Sequence, residues 1–273
     1  MDIKKVKAVY FTGTGTTKKL ISIIAEEIAR ELKIDWEEID LSLAEMRKDF
    51  LVFEESDLVI FGLFTVAGRV PNVLLPFLKT IRGNSALSIP VVLYGNRSYG
   101  DALIELKDTL ESSGAQILAA ASFIGEHSFS YTLAKGRPDA EDTEVAKGFA
   151  RKIVNKLSAC NEKYQSIQVP GTAFPYQNYY QPLNLEGQTV QFLKAKPITD
   201  EHCIDCKLCA DICPMGAIDR TDVHNVPGLC IKCCACIKKC PAKAKHFVNE
   251  DFLSHKAMLE KTYTERKEAE LFI

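Results

Sequence analysis

Nine of the ten cysteines lie between Cys203 and Cys240, and eight of them form a repeat. Cys203, Cys206, Cys209 and Cys213 precede Pro214; Cys230, Cys233, Cys236 and Cys240 precede Pro241. Each cysteine of the first set recurs 27 positions later. A C-x2-C-x2-C-x3-C-P run supplies thiolates to [4Fe–4S] cubanes. Three thiolates on one tight loop cap three corners of a cubane, and the fourth, on the helical segment before Pro, reaches the other cubane. The spacing predicts one cluster on Cys203, Cys206, Cys209 and Cys240, and a second on Cys230, Cys233, Cys236 and Cys213. That exchange holds the clusters close, which suits electron hopping. Zinc competes, but structural zinc sites usually use two separated knuckles of two ligands each, and disulfides fit less well still. So small a module has little core, so its fold should depend on the metal. Cys234 reads either as a weak S–H donor to cluster sulfur or as a small packing residue. Cys160 reads as an inert thiol.

A second chemical signal is Thr12-Gly13-Thr14-Gly15-Thr16-Thr17, directly after the first strand pattern and opening the first helix pattern. Backbone N–H groups at a helix N-terminus point at an anion, and glycines let the backbone approach it. The hydroxyls of Thr12, Thr14, Thr16 and Thr17 can donate further hydrogen bonds, which suits a terminal phosphate monoester. A Walker loop needs Gly-Lys-Ser/Thr at its end, and a dinucleotide fingerprint needs a third glycine where Lys18 stands. A plain threonine-rich turn is the remaining alternative.

Ligands of open α/β sheets bind outside the carboxyl ends of the strands. After the third strand come Thr65, Ala67, Gly68 and Arg69; after the fourth come Asn96, Arg97, Tyr99 and Asp101. Both segments can flank a flat ring. Tyr99 could stack on it or be an exposed loop aromatic. Backbone groups near Gly68 and Asn96 could bond its polar edge, and Arg69 and Arg97 could equally be surface charges. Glu126-His127, after the fifth strand, either borders the site or is structural.

The elements that position these groups follow from periodicity. Val6–Phe11, Ile34–Leu41, Leu58–Phe64, Ile89–Tyr94 and Gln116–Phe123 read as strands. Leu20, Ile21, Ile24, Ala25, Ile28 and Leu32 share one helical face, as do Leu103, Leu106 and Leu110, and Val145, Phe149, Ile153 and Leu157. Strands separated by helices imply a parallel sheet with right-handed crossovers. Five strands favour an α/β doubly wound sheet of flavodoxin-like order 2-1-3-4-5, followed by a small α+β module. The division is 1–158 for the sheet domain, 159–200 for a linker with packed aromatics (Phe174, Tyr176, Tyr179, Tyr180), 201–250 for the cysteine module and 251–273 for a helical tail. In that tail Phe252, Leu259 and Tyr263 are candidate docking residues.

At 273 residues the chain has room for about two domains. Lys plus Arg is 34 and Asp plus Glu is 36, a net charge of −2, which excludes a broadly basic nucleic-acid binder. No signal peptide is read at the N-terminus. The longest uncharged stretch, 165–185, contains Pro170, Pro175 and Pro182, so no membrane span is expected. The expected compartment is the cytoplasm, where cysteines stay reduced and available to metal.

The threonine loop resembles the T-x-T-G-x-T phosphate loop of flavodoxins, with Thr at position 16 where Asn is frequent. With the cysteine repeat behind it, and with Gly95-Asn96-Arg97-Ser98-Tyr99 and Phe123-Ile124-Gly125-Glu126-His127-Ser128, residues 3–250 resemble the flavodoxin–ferredoxin fusion family of anaerobic bacteria and archaea. The resemblance implies FMN and two [4Fe–4S] clusters as cofactors; one chain holding both is expected to pass electrons between them, as an oxidoreductase coupling one-electron donors to a one- or two-electron acceptor. Many flavodoxins stack a Trp or Tyr after the third strand, whereas positions 65 and 66 here are Thr and Val. The expected partners are a protein electron donor or acceptor, or a small-molecule acceptor; a homodimer is compatible. A passive carrier between proteins, and a redox sensor with no flavin, are the alternatives.

Overall fold

A computed structural model describes residues 3–159 and 167–273; Cys160 lies outside them. The first part runs β1 (Lys5–Phe11), α1 (Thr16–Leu32), β2 (Asp35–Asp40), β3 (Asp57–Phe64), a short α2 (Leu75–Leu78), β4 (Leu87–Tyr94), α3 (Ala102–Ser112), β5 (Gln116–Ile117), β6 (Ala120–Ile124) and α4 (Ala140–Ala159). Strands β2-β1-β3-β4-β6 are neighbours in that order and all parallel. This is the doubly wound, flavodoxin-like order expected from the alternating pattern.

Successive β1 residues point to opposite faces. Val6, Ala8 and Tyr10 join a core with Ile21, Ile24 and Ile28 of α1 and Phe149 and Ile153 of α4. Val9 and Phe11 join the opposite core with Leu103, Leu106 and Leu110 of α3. Each large apolar side chain so buried contributes roughly 1.5–3 kcal/mol. The fifth strand differs from the expected continuous Gln116–Phe123. It is split into β5 and β6, both paired with β4. Leu118 and Ala119 both enter the α1–α4 core, while Ile117 and Ala120 enter the other. Two consecutive residues on one face break the alternation, as a bulge does.

The linker lies against the sheet domain. Ile167 is buried in the α3-side core. Thr172 and Gln177 donate backbone N–H bonds to Asp101 at 3.0 and 2.7 Å. Tyr176 donates to Asp108 and Tyr179 to the Val70 carbonyl. Phe174 departs from the expected packing and is 79% exposed.

The cysteine module follows, with β7 (Ile198–Thr199), α5 (Leu208–Asp211), α6 (Ala235–Lys238) and β8 (Lys245–His246), β7 pairing antiparallel with β8. Its internal repeat reaches the backbone. Positive φ at Asp205, Lys207 and Gly216 recurs at Lys232, Cys234 and Lys243. Ala217 N–H donates to Cys213 Sγ, and Ala244 N–H to Cys240 Sγ, each at 3.3 Å.

The tail is helical only through α7 (Glu250–Thr262), where Asn249 caps the first turn by accepting from Phe252 N–H. Residues Glu270–Phe272 form β9, which pairs antiparallel with β6 at the sheet edge. The charged sequence around it masks the strand, because its partner is distant in the chain. No described helix is long and apolar enough to cross a membrane.

Candidate functional site

The cysteines surround two hollows. One is lined by Cys213, Cys230, Cys233 and Cys236, with Cys234 also on its wall. The other is lined by Cys203, Cys206, Cys209 and Cys240. Each hollow thus gathers three cysteines of one run and the last of the other. A ring of four thiols around a hollow suits a polynuclear cluster, whose corners are further apart than the ligands of one ion. Positive φ at Lys232 and Cys234 turns the second loop around its hollow. Burial pushes the Cys233 thiol up to about 12 and raises Cys230 and Cys236 as well. Cys206 is the exposed member of the repeat. Cys234 is buried; its Sγ lies 3.4 Å from the Lys232 carbonyl, and it packs with Phe247 and Phe252.

The threonine loop joins β1 to α1 at the carboxyl end of the sheet. Gly15 is the N-cap of α1, with φ 104°, a left-handed conformation that glycine adopts without strain. Its N–H donates to Thr12 Oγ1 at 3.0 Å, and Thr12 N–H donates to Ser42 Oγ at 3.0 Å. No acidic residue stands in the first turn of the 17-residue helix, so its positive end is uncancelled. Thr17 Oγ1 is buried without a hydrogen-bond partner. Thr14 and Thr16 are partly exposed. This donor set fits a phosphate.

Gly13 meets the cysteine module. A Cβ at Gly13 would lie 2.9 Å from Cys233 Cβ and 3.2 Å from the Cys233 carbonyl oxygen. Real side chains do not approach so closely, so only glycine admits this contact. Around it, Ile231 packs on the α3-side core. Arg47 donates to the Pro214 carbonyl at 2.9 Å while its guanidinium lies over Phe11. Lys238 pairs with Glu126 at 2.6 Å. Sequence reasoning missed this seam, because nothing local in either segment signals the other.

The other strand ends are brought together, but they are engaged with the chain itself. Thr65 N–H donates to the Leu93 carbonyl at 2.8 Å. The Ala67 carbonyl accepts Tyr180 N–H at 2.9 Å. Gly68 and Gly100 are in backbone contact, a Cβ at Gly100 falling 2.5 Å from the Gly68 oxygen. Arg69 is no surface charge: it forks onto Glu105 at 2.7 and 2.6 Å and lies over Tyr176 and Tyr179. Arg97 is likewise covered, 3.8 Å from the Tyr180 ring centroid. Asn96 Nδ2 donates to the carbonyls of Tyr263 and Glu265 at 2.6 and 2.8 Å. Asp101 holds the linker, as described.

Tyr99 corrects the expectation of a ring-stacking or exposed aromatic. It is 8% exposed, packs on Tyr94 at 5.5 Å, and its hydroxyl donates to Glu270 at 2.8 Å. The cause is β9, which brings Glu270 beside it. His127 packs on Gly95, where a Cβ would fall 2.3 Å from its ring, and its Nδ1 accepts Phe129 N–H at 3.1 Å. The threonine loop therefore fits a phosphate group, while at the neighbouring strand ends Tyr180 covers Arg97, Tyr263 and Glu265 accept from Asn96 and Lys267 donates to the Arg97 carbonyl.

A family model described as a 4Fe-4S binding domain matches residues 196–219. No curated protein matches the chain. Solved structures similar to it include a flavodoxin from the domain Archaea, 16% identical over 56% of this chain and 99% of that one, with a TM-score of 0.41. Flavodoxin 2 of Bacillus cereus is 17% identical over 56% and 99%, with a TM-score of 0.41. A Fusobacterium nucleatum flavodoxin variant bound to flavin mononucleotide is 17% identical over 57% and 95%, with a TM-score of 0.36.

Proposed function

We propose, from a flavodoxin-order sheet joined in one chain to a 4Fe-4S binding segment, that this protein is an electron carrier working between redox protein partners. Two [4Fe–4S] clusters would be held crosswise, one by Cys203, Cys206, Cys209 and Cys240, the other by Cys230, Cys233, Cys236 and Cys213. The carrying observation is that each of two separate hollows gathers three thiols of one run and the fourth of the other. FMN is the nucleotide the Thr12–Thr17 loop would take, through its phosphate; a bound flavin accepts one or two electrons where a cluster accepts one. The covered crevice favours a carrier over an enzyme with a substrate above the flavin.

Anaerobic purification with iron, sulfide and flavin counts tests this reading. About eight iron and eight sulfide per chain are expected, four of each for every cubane. Cys206→Ser and Cys233→Ser should each lose one cluster selectively. Zinc in place of iron, or an undiminished iron count in either variant, would overturn the ligand assignment.

A further inference from the structure

The two hollows stand in unequal relation to the sheet. The Cys213/Cys230/Cys233/Cys236 hollow has walls that touch the sheet domain, Cys233 at Gly13, Pro214 at Arg47 and Ile231 at the α3-side core, and Lys238, two residues after Cys236, pairs with Glu126. The other hollow opens where Cys206 is exposed and Ile204 is 65% exposed. Lys207, on that loop, is bonded within the module, to Asp205 and to the Thr221 carbonyl. From this asymmetry we propose that the chain orders its two centres: the site with Cys206 is the outer port, where a one-electron protein partner exchanges electrons, and the site with Cys233, seated on Gly13, is the inner relay at the mouth of the threonine loop.

The inference rests on the two-cluster reading above. Each electron exchanged between a one-electron protein partner and the inner site passes through the outer one. The partner and the inner site change by one electron in opposite senses, and no bond or proton changes hands. Cys213 and Cys240, each lining the hollow of the other run, tie the two sites together along this route. Gly13 is a positioning residue. Any side chain there meets the Cβ and the backbone oxygen of Cys233 rather than the far end of a flexible chain, so the inner loop must shift.

The order can be tested on the full-length, cluster-loaded protein. An iron count of about eight per chain first secures the two-cluster reading; a lower count fails that reading and not the order. Cys206→Ser then identifies which of the two reduced-cluster paramagnetic signals is the outer one. In the unsubstituted protein, a soluble dysprosium chelate should shorten the relaxation of the outer signal more than that of the inner. Gly13→Ala should shift the midpoint potential or g-values of the inner signal and leave the outer unchanged. Gly148→Ala, at a position in α4 with open space around its Cβ, should move neither. Equal or reversed sensitivity to the chelate would overturn the order, even if Gly13→Ala failed to fold. A folded Gly13→Ala protein with an unmoved inner signal, or with a moved outer one, would overturn the role of Gly13.

Discussion

The Arg97 guanidinium lies over Tyr180, 3.8 Å from the ring centroid, at the place between two strand ends where a doubly wound sheet takes its ligand. Tyr180 is fixed there a second time by its N–H bond to Ala67. A cation–π contact of this kind is worth about 0.5–2 kcal/mol.

Flavin and Tyr180 should therefore compete. Tyr180→Ala should tighten FMN binding to the flavin-free protein by about two- to thirty-fold, the equivalent of that contact. Fluorescence quenching of added FMN reads this directly, with iron content as the check on folding. Unchanged or weaker binding would mean that the tyrosine does not stand in the way. Combining Tyr180→Ala with Thr14→Ala and Thr16→Ala should abolish the gain, since the phosphate would have lost its donors.

Arg137 and Asp142 form a buried fork at 2.9 and 2.5 Å, with side chains 4% and 3% exposed. Arg137 also donates to the Lys267 carbonyl at 2.7 Å, and Asp142 accepts Asp139 N–H at 2.9 Å. Removing one partner strands a charge away from water, at a cost of about 3–5 kcal/mol. Arg137→Leu should lower the urea midpoint accordingly, and Asp142→Asn should lower it in the same direction. A midpoint within error of the parent would contradict the pairing.

His127 supplies a pH signature. Burial, reinforced by His255, Arg97 and Lys238 facing it, pushes its pKa from 6.5 down to about 3. The fold holds the neutral ring, while the unfolded chain takes up a proton below its ordinary value. The contribution is therefore complete above about pH 6.5 and declines as pH falls toward 3. Urea midpoints measured at pH 7.5 and 5.5 should differ less in His127→Gln than in the parent. An equal difference would assign the pH dependence to other groups.

What the sequence revealed was local, and what it concealed was distant. The cysteine runs announce their chemistry because a cubane needs its ligands within a few residues, and the repeat extends even to positive φ at Lys207 and Cys234. The threonine loop and the core strands are legible for the same reason, since a turn and an alternating face are properties of short segments. Leu118 and Ala119 were not legible, because a bulge is chosen by packing on both faces of a sheet. Tyr99 was misjudged because its partner, Glu270, sits on a three-residue strand with no pattern of its own. The contact of Gly13 with Cys233 had no sequence signal at all. Each segment has a complete explanation without the other, and only the folded chain shows that one glycine serves both.

The short strand β9 has a mechanical meaning. The cysteine module leaves the sheet domain through a linker pinned at Asp101 and Ala67, and the chain then comes home to pair with β6. A module joined by one flexible arm can swing, and its electron exchange then waits on diffusion of that arm. This one is moored at both ends, so its hinge is removed. In the proposed electron carrier, transfer between the module and a flavin on the sheet domain should be insensitive to solvent viscosity, because hydrogen bonds and strand pairing at both ends of the module set their separation.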